Sequence, residues 1–358
     1  MNSESENVSI VLDTGGDSIK CGFANEEKPR FILPSKVGQD VDDNDGLLIG
    51  ERLKTTAQSN SNIKLNYPID RGFVKNWSHL ESLFTHLYED CLQIESDEYT
   101  VLSTEPPNIS HAQREKFAQV LFEKFKVPHV CFKNSAVLAL HSYGQRTGLV
   151  VDIGNSVSYV VPVFDGNALN HSSERFNMGG RDITNFLANY LELDKDLSRQ
   201  IKEQCCHVNA DDDNESKENF NFNLPDGKIL NLNPEKLNNS TEILFKPILI
   251  DMDIMGLHEV VYKTIAKAQI DLRRDLYANI CLSGGSSLFK NIDKRILLEV
   301  KKLAPKSVDI NVKANNSRDH ASWVGGASIA SSNSFTNMCV SLSEYKENGP
   351  SILIKKFS

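Results

Sequence analysis

Short apolar runs separated by glycine-rich or charged turns fill the first part of the chain. "VSIVLD", "IKCGFA" and "RFILP" follow one another between residues 8 and 34, and short apolar runs bounded by turn residues are typical of a β-meander. The stretch "GQDVDDNDG" at 38–46 is polar and acidic. Because it has no apolar periodicity, it predicts an exposed loop.

The apolar residues change to helical spacing in "SHLESLFTHLYEDCL", residues 78–92. Ser78 and Glu81 have the spacing of a capping box, which predicts an amphipathic helix that begins there. The run "YTVLSTEPP" predicts a buried strand, and Ser110 with Gln113 predicts the start of a second helix. Strands that alternate with helices in this way indicate an α/β sheet.

After Gln145 the same pattern begins again. "TGLVVDIG", a turn, "SYVVPVF" and the helical segment "RDITNFLANYL" follow in order, which predicts a duplicated fold with two lobes. The two copies share only a strand-end aspartate motif. Between about residues 203 and 240 the chain is rich in Asn and Asp, and this stretch predicts a peripheral insertion because it has few apolar residues to bury.

Composition and charge narrow the class of protein. With 358 residues and 40% hydrophobic content, the chain can form two lobes with cores of their own. The formal net charge of -9 argues against direct nucleic-acid binding, which depends on Lys and Arg. No apolar run approaches the roughly 20 residues of a membrane helix. The seven cysteines show no C-x-x-C spacing, and reduced thiols in the cytoplasm or nucleus are expected.

Two segments carry the candidate chemistry, "LDTGGDSIKCGF" at 12–23 and "VDIGNSVSYVVPVF" at 151–164. Each places an aspartate, Asp13 or Asp152, at a strand end, then a glycine two residues later and a returning strand. Glycine lets backbone N–H groups approach an anion closely and accepts a positive φ. The pair could clamp a triphosphate, with both carboxylates holding Mg²⁺ through waters and Lys20 reaching the phosphate oxygens.

The alternative is that each segment is an ordinary β-hairpin whose Asp and Gly serve the turn. A third glycine turn, "LSGGSS" at 282–287, weakens this alternative. Its Gly284 and Gly285 follow a strand and open a helix, and such a turn can form a ledge for the sugar or base of a nucleotide. The chain contains neither a P-loop nor a G-x-G-x-x-G motif.

These motifs, taken in order, resemble the actin family over nearly the whole chain. The C-terminal "EYKENGPSI" is absent from the sugar kinases and chaperones that share the fold. The segments that carry the resemblance are "DTGGDSIKCGF", "YPIDRGFVKNW", "STEPPNISHAQREKF", "GLVVDIGNSVSYVVPVFDG", "MGGRDITNFL", "IKEQCCHV", "DLRRDLYANICLSGGSSLF", "SWVGGASIAS" and "EYKENGPSI".

The resemblance implies an α/β fold of the actin-like ATPase type, with two duplicated lobes around a central nucleotide cleft and four subdomains. The implied boundaries are 1–34, 69–142 and 321–358 for subdomain 1, 35–68 for subdomain 2, 143–178 and 253–320 for subdomain 3, and 179–252 for subdomain 4.

The resemblance also implies ATP or ADP with Mg²⁺ or Ca²⁺ as cofactors. Asp13 and Asp152 would hold the metal through waters. The residues implied to contact phosphates are Gly15, Gly16, Lys20, Gly154, Asn155 and Ser156. Those implied to contact the sugar and base are Gly180, Lys202, Glu203, Gly284, Gly285, Ser286 and Phe289. Without the resemblance, Lys202 and Glu203 read as an ordinary solvated helix face.

Departures from the family pattern concern hydrolysis and polymerisation. Ser135 and Tyr159 stand where the family has the glutamine and histidine that position the attacking water, so slow or absent hydrolysis is expected. Gly16 and Asn155 replace a serine and an aspartate. The loop at 38–50 is short and acidic where actin carries apolar residues, and this predicts weak self-polymerisation.

Three functions remain open. The first is a divergent actin-like cytoskeletal protein of the cytoplasm, or of the nucleus, at most a weak ATPase. Its partners would be actin-family subunits and actin-binding proteins, without direct nucleic-acid or membrane binding. The second is a scaffold subunit of a complex such as a chromatin remodeller or dynactin. The third is a small-molecule kinase, but no catalytic aspartate beyond Asp13 and Asp152 is evident.

Overall fold

A computed structural model describes residues 8–40, 46–59, 62–210, 220–224 and 227–357. The chain divides into two compact units. The first unit is Met1–Ser142 with His320–Ser358, and the second is Tyr143–Asp319.

Both units mix strands and helices. The strands are β1 Ile10–Thr14, β2 Ser18–Phe23, β3 Phe31–Pro34, β4 Val37–Asp40, β5 Ile63–Asn66, β6 Ile69–Asp70, β7 Phe73–Val74, β8 Val101–Glu105, β9 His129–Asn134, β10 Gly148–Ile153, β11 Ser158–Phe164, β12 Asn167–Ala168, β13 Glu174–Phe176, β14 Phe220–Asn223, β15 Ile229–Leu232, β16 Ile280–Ser283, β17 Val312–Lys313 and β18 Val340–Ser341. The α-helices are α1 Gly50–Ser59, α2 Trp77–His86, α3 His111–Gln119, α4 Ser135–Ser142, α5 Gly180–Leu191, α6 Lys195–Cys205, α7 Pro234–Glu242, α8 Leu257–Lys267, α9 Ile270–Ala278, α10 Ile292–Leu303, α11 Ala321–Ala330, α12 Phe335–Met338, α13 Leu342–Asn348 and α14 Ser351–Lys356. Two π-helical segments, Leu87–Leu92 and Val120–Lys124, continue α2 and α3. The 3₁₀ turns are Ser96–Glu98, Pro247–Ile250, Gly285–Leu288 and Arg318–His320.

The first unit is built on a sheet of order β18-β9-β8-β1-β2-β3. Strands β1, β2 and β3 are antiparallel neighbours, which confirms the predicted meander. On its other edge β1 pairs in parallel with β8, and β8 pairs in parallel with β9. Strand β8 is buried along its whole length, as predicted for "YTVLSTEPP".

The second unit repeats this topology. Its sheet has the order β12-β11-β10-β16-β17, with β13 also paired to β11. As in the first unit, a central strand has an antiparallel partner on one side and two successive parallel strands on the other. The duplicated two-lobe α/β fold predicted from the sequence is therefore confirmed.

Apolar side chains cover both faces of the first unit's sheet, so its central strand β1 is apolar up to its carboxyl end. Along β1, Ile10 and Leu12 pack in one apolar cluster and Val11 in another, because successive side chains of a strand point to opposite faces. Trp323 of α11 also donates from Nε1 to the Val11 carbonyl at 3.1 Å. Asp13 is the first charged residue of this buried strand and lies towards its carboxyl end.

The predicted start of the helix at 78–92 is wrong. Helix α2 begins at Trp77, and its cap is Asn76, whose side chain accepts a hydrogen bond from the His79 amide at 3.1 Å. Ser78 lies inside the first turn and donates to the Asn76 side chain. Asn76 has the extended backbone that is typical of an N-cap, and its side-chain oxygen reaches the amide of the first turn. Asn76 is therefore the cap in place of Ser78. The predicted cap Ser110 of α3 is confirmed.

The predicted loop at 38–46 is partly a strand, because Gly38 to Asp40 pair with β5. Residues 41–45 lie outside the described residues. In the Asn- and Asp-rich stretch, β14 and β15 form a two-stranded hairpin, while 211–219 also lie outside the described residues. Among the described helices, none has both the length and the apolar content that crossing a bilayer requires.

Candidate functional site

Asp13 and Asp152 occupy equivalent positions in their units. Asp13 of β1 lies opposite Lys20 of β2, and Asp152 of β10 lies opposite Tyr159 of β11. In both hairpins the opposite residue comes seven positions later in the chain. The two hairpins therefore have the same register, which the shared sequence motif alone did not establish.

The glycine after each aspartate closes its turn in the same way. The Gly15 amide donates to the Ser18 carbonyl at 3.1 Å, and the Gly154 amide donates to the Val157 carbonyl at 3.2 Å. A Cβ added to Gly15 would lie 2.9 Å from that Ser18 oxygen, and one added to Gly154 would lie 2.6 Å from the Val157 oxygen. Neither glycine has a positive φ, so close approach, and not backbone conformation, explains the glycine at these two positions.

In the first hairpin, carbonyl groups of the turn are held by one buried serine. Ser35 donates from its hydroxyl to the Gly15 carbonyl at 2.6 Å and from its amide to the Asp17 carbonyl at 2.8 Å. Ser35 is fully buried. These two oxygens therefore have donors within the protein, and Gly16 lies between them in the turn. Carbonyl oxygens that faced outwards from the turn would repel an anion. Because these two oxygens are bonded to Ser35 instead, the turn is more favourable for an anion.

In the second hairpin, the start of α5 performs the same task. The amides of Gly180 and Arg181 donate to the carbonyls of Gly154 and Asn155 at 3.0 and 2.7 Å. Ser286 adds a hydroxyl hydrogen bond to the Gly154 carbonyl at 2.9 Å. Two segments that are distant from it in sequence thus fix the second turn.

The Asp13 carboxylate has two partners in the first unit. Thr104, at the end of β8, donates its hydroxyl to Oδ1 at 2.8 Å, and the Lys20 ammonium lies 3.5 Å from Oδ2. The side chains of Asp13 and Lys20 are each 15% exposed. Lys20 is therefore held at the aspartate, and its contact with a phosphate remains a prediction.

The glycine turn after β16 lies against the second hairpin. Gly284 has a φ of 86°, and a Cβ added there would lie 2.5 Å from both Asp152 Oδ1 and the Ile153 carbonyl oxygen. Here both the conformation and the space require glycine. The predicted helix start is a 3₁₀ turn, Gly285–Leu288, and the role of this turn as a ledge for a sugar or base remains a prediction.

Lys202 and Glu203 have different environments, although they are neighbours on α6. Lys202 is 7% exposed and donates from its ammonium to the Gly180 carbonyl at 3.2 Å. Glu203 is exposed and pairs with Arg199 one turn earlier. The solvated-face interpretation therefore fails for Lys202, whereas contact of Glu203 with a sugar or base remains a prediction. A buried ammonium is costly unless it has polar or anionic partners, which makes Lys202 the more informative of the two.

The two residues that the resemblance connects with hydrolysis, Ser135 and Tyr159, belong to different units. Ser135 is the first residue of α4. Tyr159 is 7% exposed, and its hydroxyl accepts a hydrogen bond from Arg175 of β13 at 3.2 Å. Burial raises the pKa of Tyr159, the Arg175 charge opposes the rise, and Asp152 adds to it. The phenol therefore stays protonated at neutral pH and cannot replace an imidazole base.

The other predicted contact residues lie close to these elements. Ser156 is a buried residue of the second turn, and Phe289 follows the 3₁₀ turn with its ring packed in the core of the second unit. Within the described part of the chain, His, Cys, Asp and Glu side chains form no group of three suited to a metal ion. Binding of a metal through waters by Asp13 and Asp152 remains a prediction.

Sequence reasoning missed Ser35, Thr104 and Arg175. Thr104 could have been found, because it ends a buried strand and parallel strands that end together bring their last residues close. Ser35 follows β3 and Arg175 lies on the short β13. Ser35 stands next to the predicted meander, but no local signal shows that it bonds to the turn at Gly15 and Asp17. Arg175 reaches Tyr159 through the pairing of β13 with β11, and the sequence offers no local signal for that pairing.

Comparison with known protein families agrees with this description. The family model described as Actin matches residues 4–198 and 193–358. The two matches together extend over nearly all of the chain, including both hairpins, the glycine turn after β16 and the C-terminal helices. With two sheets of the same topology and a match of this extent, the chain belongs to the actin family.

Proposed function

We propose that this chain is a divergent actin-like protein that binds Mg-ATP through both hairpins, hydrolyses it slowly or not at all, and polymerises weakly on its own. The observation that carries the proposal is the shared register of the two hairpins, each with an aspartate at the strand end and a glycine turn. Proteins with the actin fold generally bind a nucleotide and a divalent cation.

The residues present fit such a ligand. Asp13 is partly exposed, and carboxylate oxygens are the ligands that Mg²⁺ accepts directly or through water. Donors within the protein engage carbonyl groups of both turns, which favours phosphate near the turn amides. In the second unit the buried Lys202 ammonium suits an anionic or hydroxyl-bearing ligand. ADP and Ca²⁺ fit the same groups.

Slow hydrolysis follows from the chain's own side chains. A bound Mg²⁺ would neutralise phosphate charge, but hydrolysis also requires a group that holds and deprotonates water. The Ser135 side chain is short, and Tyr159 is a buried phenol already engaged with Arg175. Neither is suited to accept a proton at neutral pH.

Calorimetric titration and phosphate release test the proposal together. Wild-type protein should bind one Mg-ATP and release phosphate more slowly than conventional actin in polymerising salt. The double variant Ser135→Gln/Tyr159→His should release phosphate at least about tenfold faster than wild type. Absence of Mg-ATP binding, or wild-type hydrolysis as fast as that of actin, would contradict the proposal.

The proposal places the protein in the cytoplasm, at the cytoskeleton, with actin-family subunits as its partners. It also includes the four subdomains with the boundaries that the resemblance implies. Affinity purification followed by identification of co-purifying proteins tests this part. Conventional actin among them supports the cytoskeletal role. Subunits of a chromatin remodeller or of dynactin, found without actin filaments, would favour the scaffold alternative.

A further inference from the structure

Two cysteines that are far apart in sequence face each other at the end of the first unit's sheet. Strand β18 is antiparallel to β9, with Val340 opposite Val130 and Ser341 opposite His129. Continued by one position, the same register places Cys339 directly opposite Cys131. Both cysteines are reduced and buried in the same apolar cluster.

The hydrogen-bond pattern shows which kind of pair they form. The Leu342 amide donates to the Pro128 carbonyl at 2.8 Å, so Leu342 and Pro128 form a hydrogen-bonded pair. Along an antiparallel ladder, hydrogen-bonded and non-hydrogen-bonded pairs alternate. Cys339 and Cys131 therefore form a non-bonded pair, and the Cys339 amide donates instead to Thr336. Cα atoms in such pairs are about 4.5 Å apart, within the range of about 4.4–6.8 Å that a disulfide spans.

The Cys339 thiol donates to the Phe335 carbonyl at 3.4 Å, and it is close enough to Cys131 for each thiol to affect the pKa of the other. A hydrogen bond from the Cys339 thiol lowers the pKa of Cys131, although burial opposes this effect. The same hydrogen bond, together with burial, raises the pKa of Cys339. Negative charge is therefore best held on the Cys131 sulfur, which makes Cys131 the nucleophile of the pair.

We propose that Cys131 and Cys339 are a redox modification site, which a peroxide converts reversibly to a disulfide that ties β18 to β9. The disulfide would attach the segment that leads into α13 and α14 covalently to the sheet. This inference does not depend on nucleotide binding.

The reaction balances with a hydroperoxide as the oxidant. The Cys131 thiolate attacks the peroxide, the O–O bond breaks, and a sulfenic acid forms with release of an alcohol, or of water from hydrogen peroxide. The Cys339 sulfur then attacks the Cys131 sulfur, the S–O bond breaks, and water leaves. Two thiols lose two electrons, and added dithiol returns them. Because both thiols are buried, the reaction requires local opening of the C-terminal segment and is slower than oxidation of an exposed thiol.

Peptide mapping tests the proposal directly. The folded full-length protein is treated with hydrogen peroxide, denatured, alkylated and digested with trypsin without reduction. Residues 127–133 and 319–346 are tryptic peptides that contain one cysteine each. They should appear linked, two hydrogen atoms lighter than their sum, and separate after treatment with dithiothreitol. Oxidation should also raise the midpoint of thermal unfolding.

Variants supply the controls. Cys91→Ser changes a half-buried cysteine of the same unit and should leave the linked peptide in place, whereas Cys131→Ser should abolish it. If Cys131→Ser does not fold, the wild-type map alone decides. Recovery of 127–133 from oxidised wild type as the alkylated peptide only, or linked to another cysteine, would overturn the proposal.

Discussion

Neighbouring residues on one helix can have opposite environments, and Lys202 with Glu203 is an example. Consecutive residues of an α-helix point about 100° apart, so one faces the core of the second unit and the other faces solvent. The sequence places them side by side in "IKEQ" and cannot distinguish them. Only the packing of α6 against α5 identifies Lys202 as the buried cation.

Replacement of Lys202 by methionine tests its role in binding. Lys202→Met keeps the length of the side chain and removes the charge, so we expect Mg-ATP affinity to fall about tenfold, or about 1.4 kcal/mol. The Gly180 carbonyl keeps Thr184 as a donor, so the free energy of unfolding should not fall. Titration calorimetry measures the affinity, and Lys195→Met, the same change at an exposed lysine of α6, serves as the control with unchanged binding. Equal affinities of the two variants would contradict a role for Lys202.

Tyr159 gives a prediction for the dependence of stability on pH. The pKa of Tyr159 is raised in the folded protein. Its contribution to the free energy of unfolding is therefore complete below the pKa of about 10 in the unfolded chain, and it is lost as the pH rises towards the pKa in the folded protein. Tyr159→Phe also removes the hydrogen bond from Arg175, at a cost of about 1 kcal/mol. In denaturant unfolding at pH 8, wild type should be the more stable protein. The difference should shrink above about pH 10, and a difference that grows instead would contradict this assignment.

At this scale the sequence predicted the residues that act through their own hairpin and missed those that act from a distance. Asp13, Gly15, Asp152 and Gly154 stand in short motifs with a local reason for each residue. Thr104 and Arg175 reach the hairpins through pairing between strands that do not follow one another in the predicted meander, and propensity and periodicity alone do not identify those pairs. Ser35 follows a strand of the predicted meander, but nothing in the local pattern shows that it bonds to the Gly15 carbonyl.

Among the elements, the glycine turn after β16 shows how a short segment completes the second hairpin. Adjacent glycines there have opposite requirements. Gly284 has a positive φ and leaves no room for a Cβ beside Asp152, whereas a Cβ on Gly285 would meet no heavy atom within 4 Å. The motif "SGGS" shows two equivalent glycines, so only the backbone geometry separates them.

The paired variants Gly284→Ala and Gly285→Ala test this element. Gly284→Ala should lower the free energy of unfolding by about 2 kcal/mol or more, from backbone strain and contact with Asp152, and should weaken Mg-ATP binding. Gly285→Ala should change the free energy of unfolding by less than about 0.5 kcal/mol. Denaturant unfolding measures both. Equal effects would show that the turn does not constrain the Asp152 hairpin.

Element boundaries were harder to predict than element types. The meander, β8 and the β10 hairpin were predicted because each has a continuous apolar run. The start of α2 was misplaced, since Asn76 and Ser78 are both good capping residues and tertiary packing decides between them. Strand β13 has three residues and exists only through its pairing with β11, so no local pattern could predict it.

For the whole molecule, repetition of the pattern after Gln145 predicted the duplicated fold, because each copy must bury a similar set of strands. The arrangement of the molecule in an assembly depends on its surface. A filament contact must bury apolar area, and the acidic stretch at 38–46 offers carboxylates that are costly to desolvate. The segment 247–255 exposes Ile248 and Leu249, which could contribute apolar area to such a contact. It also contains Asp251 and Asp253, whose carboxylates would be costly to desolvate in the same contact.

Sedimentation tests the prediction of weak self-assembly. In polymerising salt with Mg-ATP, the purified protein alone should remain in the supernatant at a concentration at which conventional actin pellets. Addition of conventional actin should carry part of the protein into the pellet if it joins filaments of relatives. Pelleting of most of the protein alone, with filaments visible by electron microscopy, would contradict the prediction.

The most direct test of the account is nucleotide binding by Asp13→Asn and Asp152→Asn, each measured by titration calorimetry with Mg-ATP. Both substitutions preserve shape and remove one carboxylate charge, and Asp165→Asn, at an exposed surface aspartate paired with Arg146, controls for the loss of charge alone. If both hairpins serve one nucleotide, each of the first two variants loses about 100-fold or more in affinity, about 2.7 kcal/mol, while Asp165→Asn binds like wild type. Wild-type affinity in either hairpin variant would contradict the central claim.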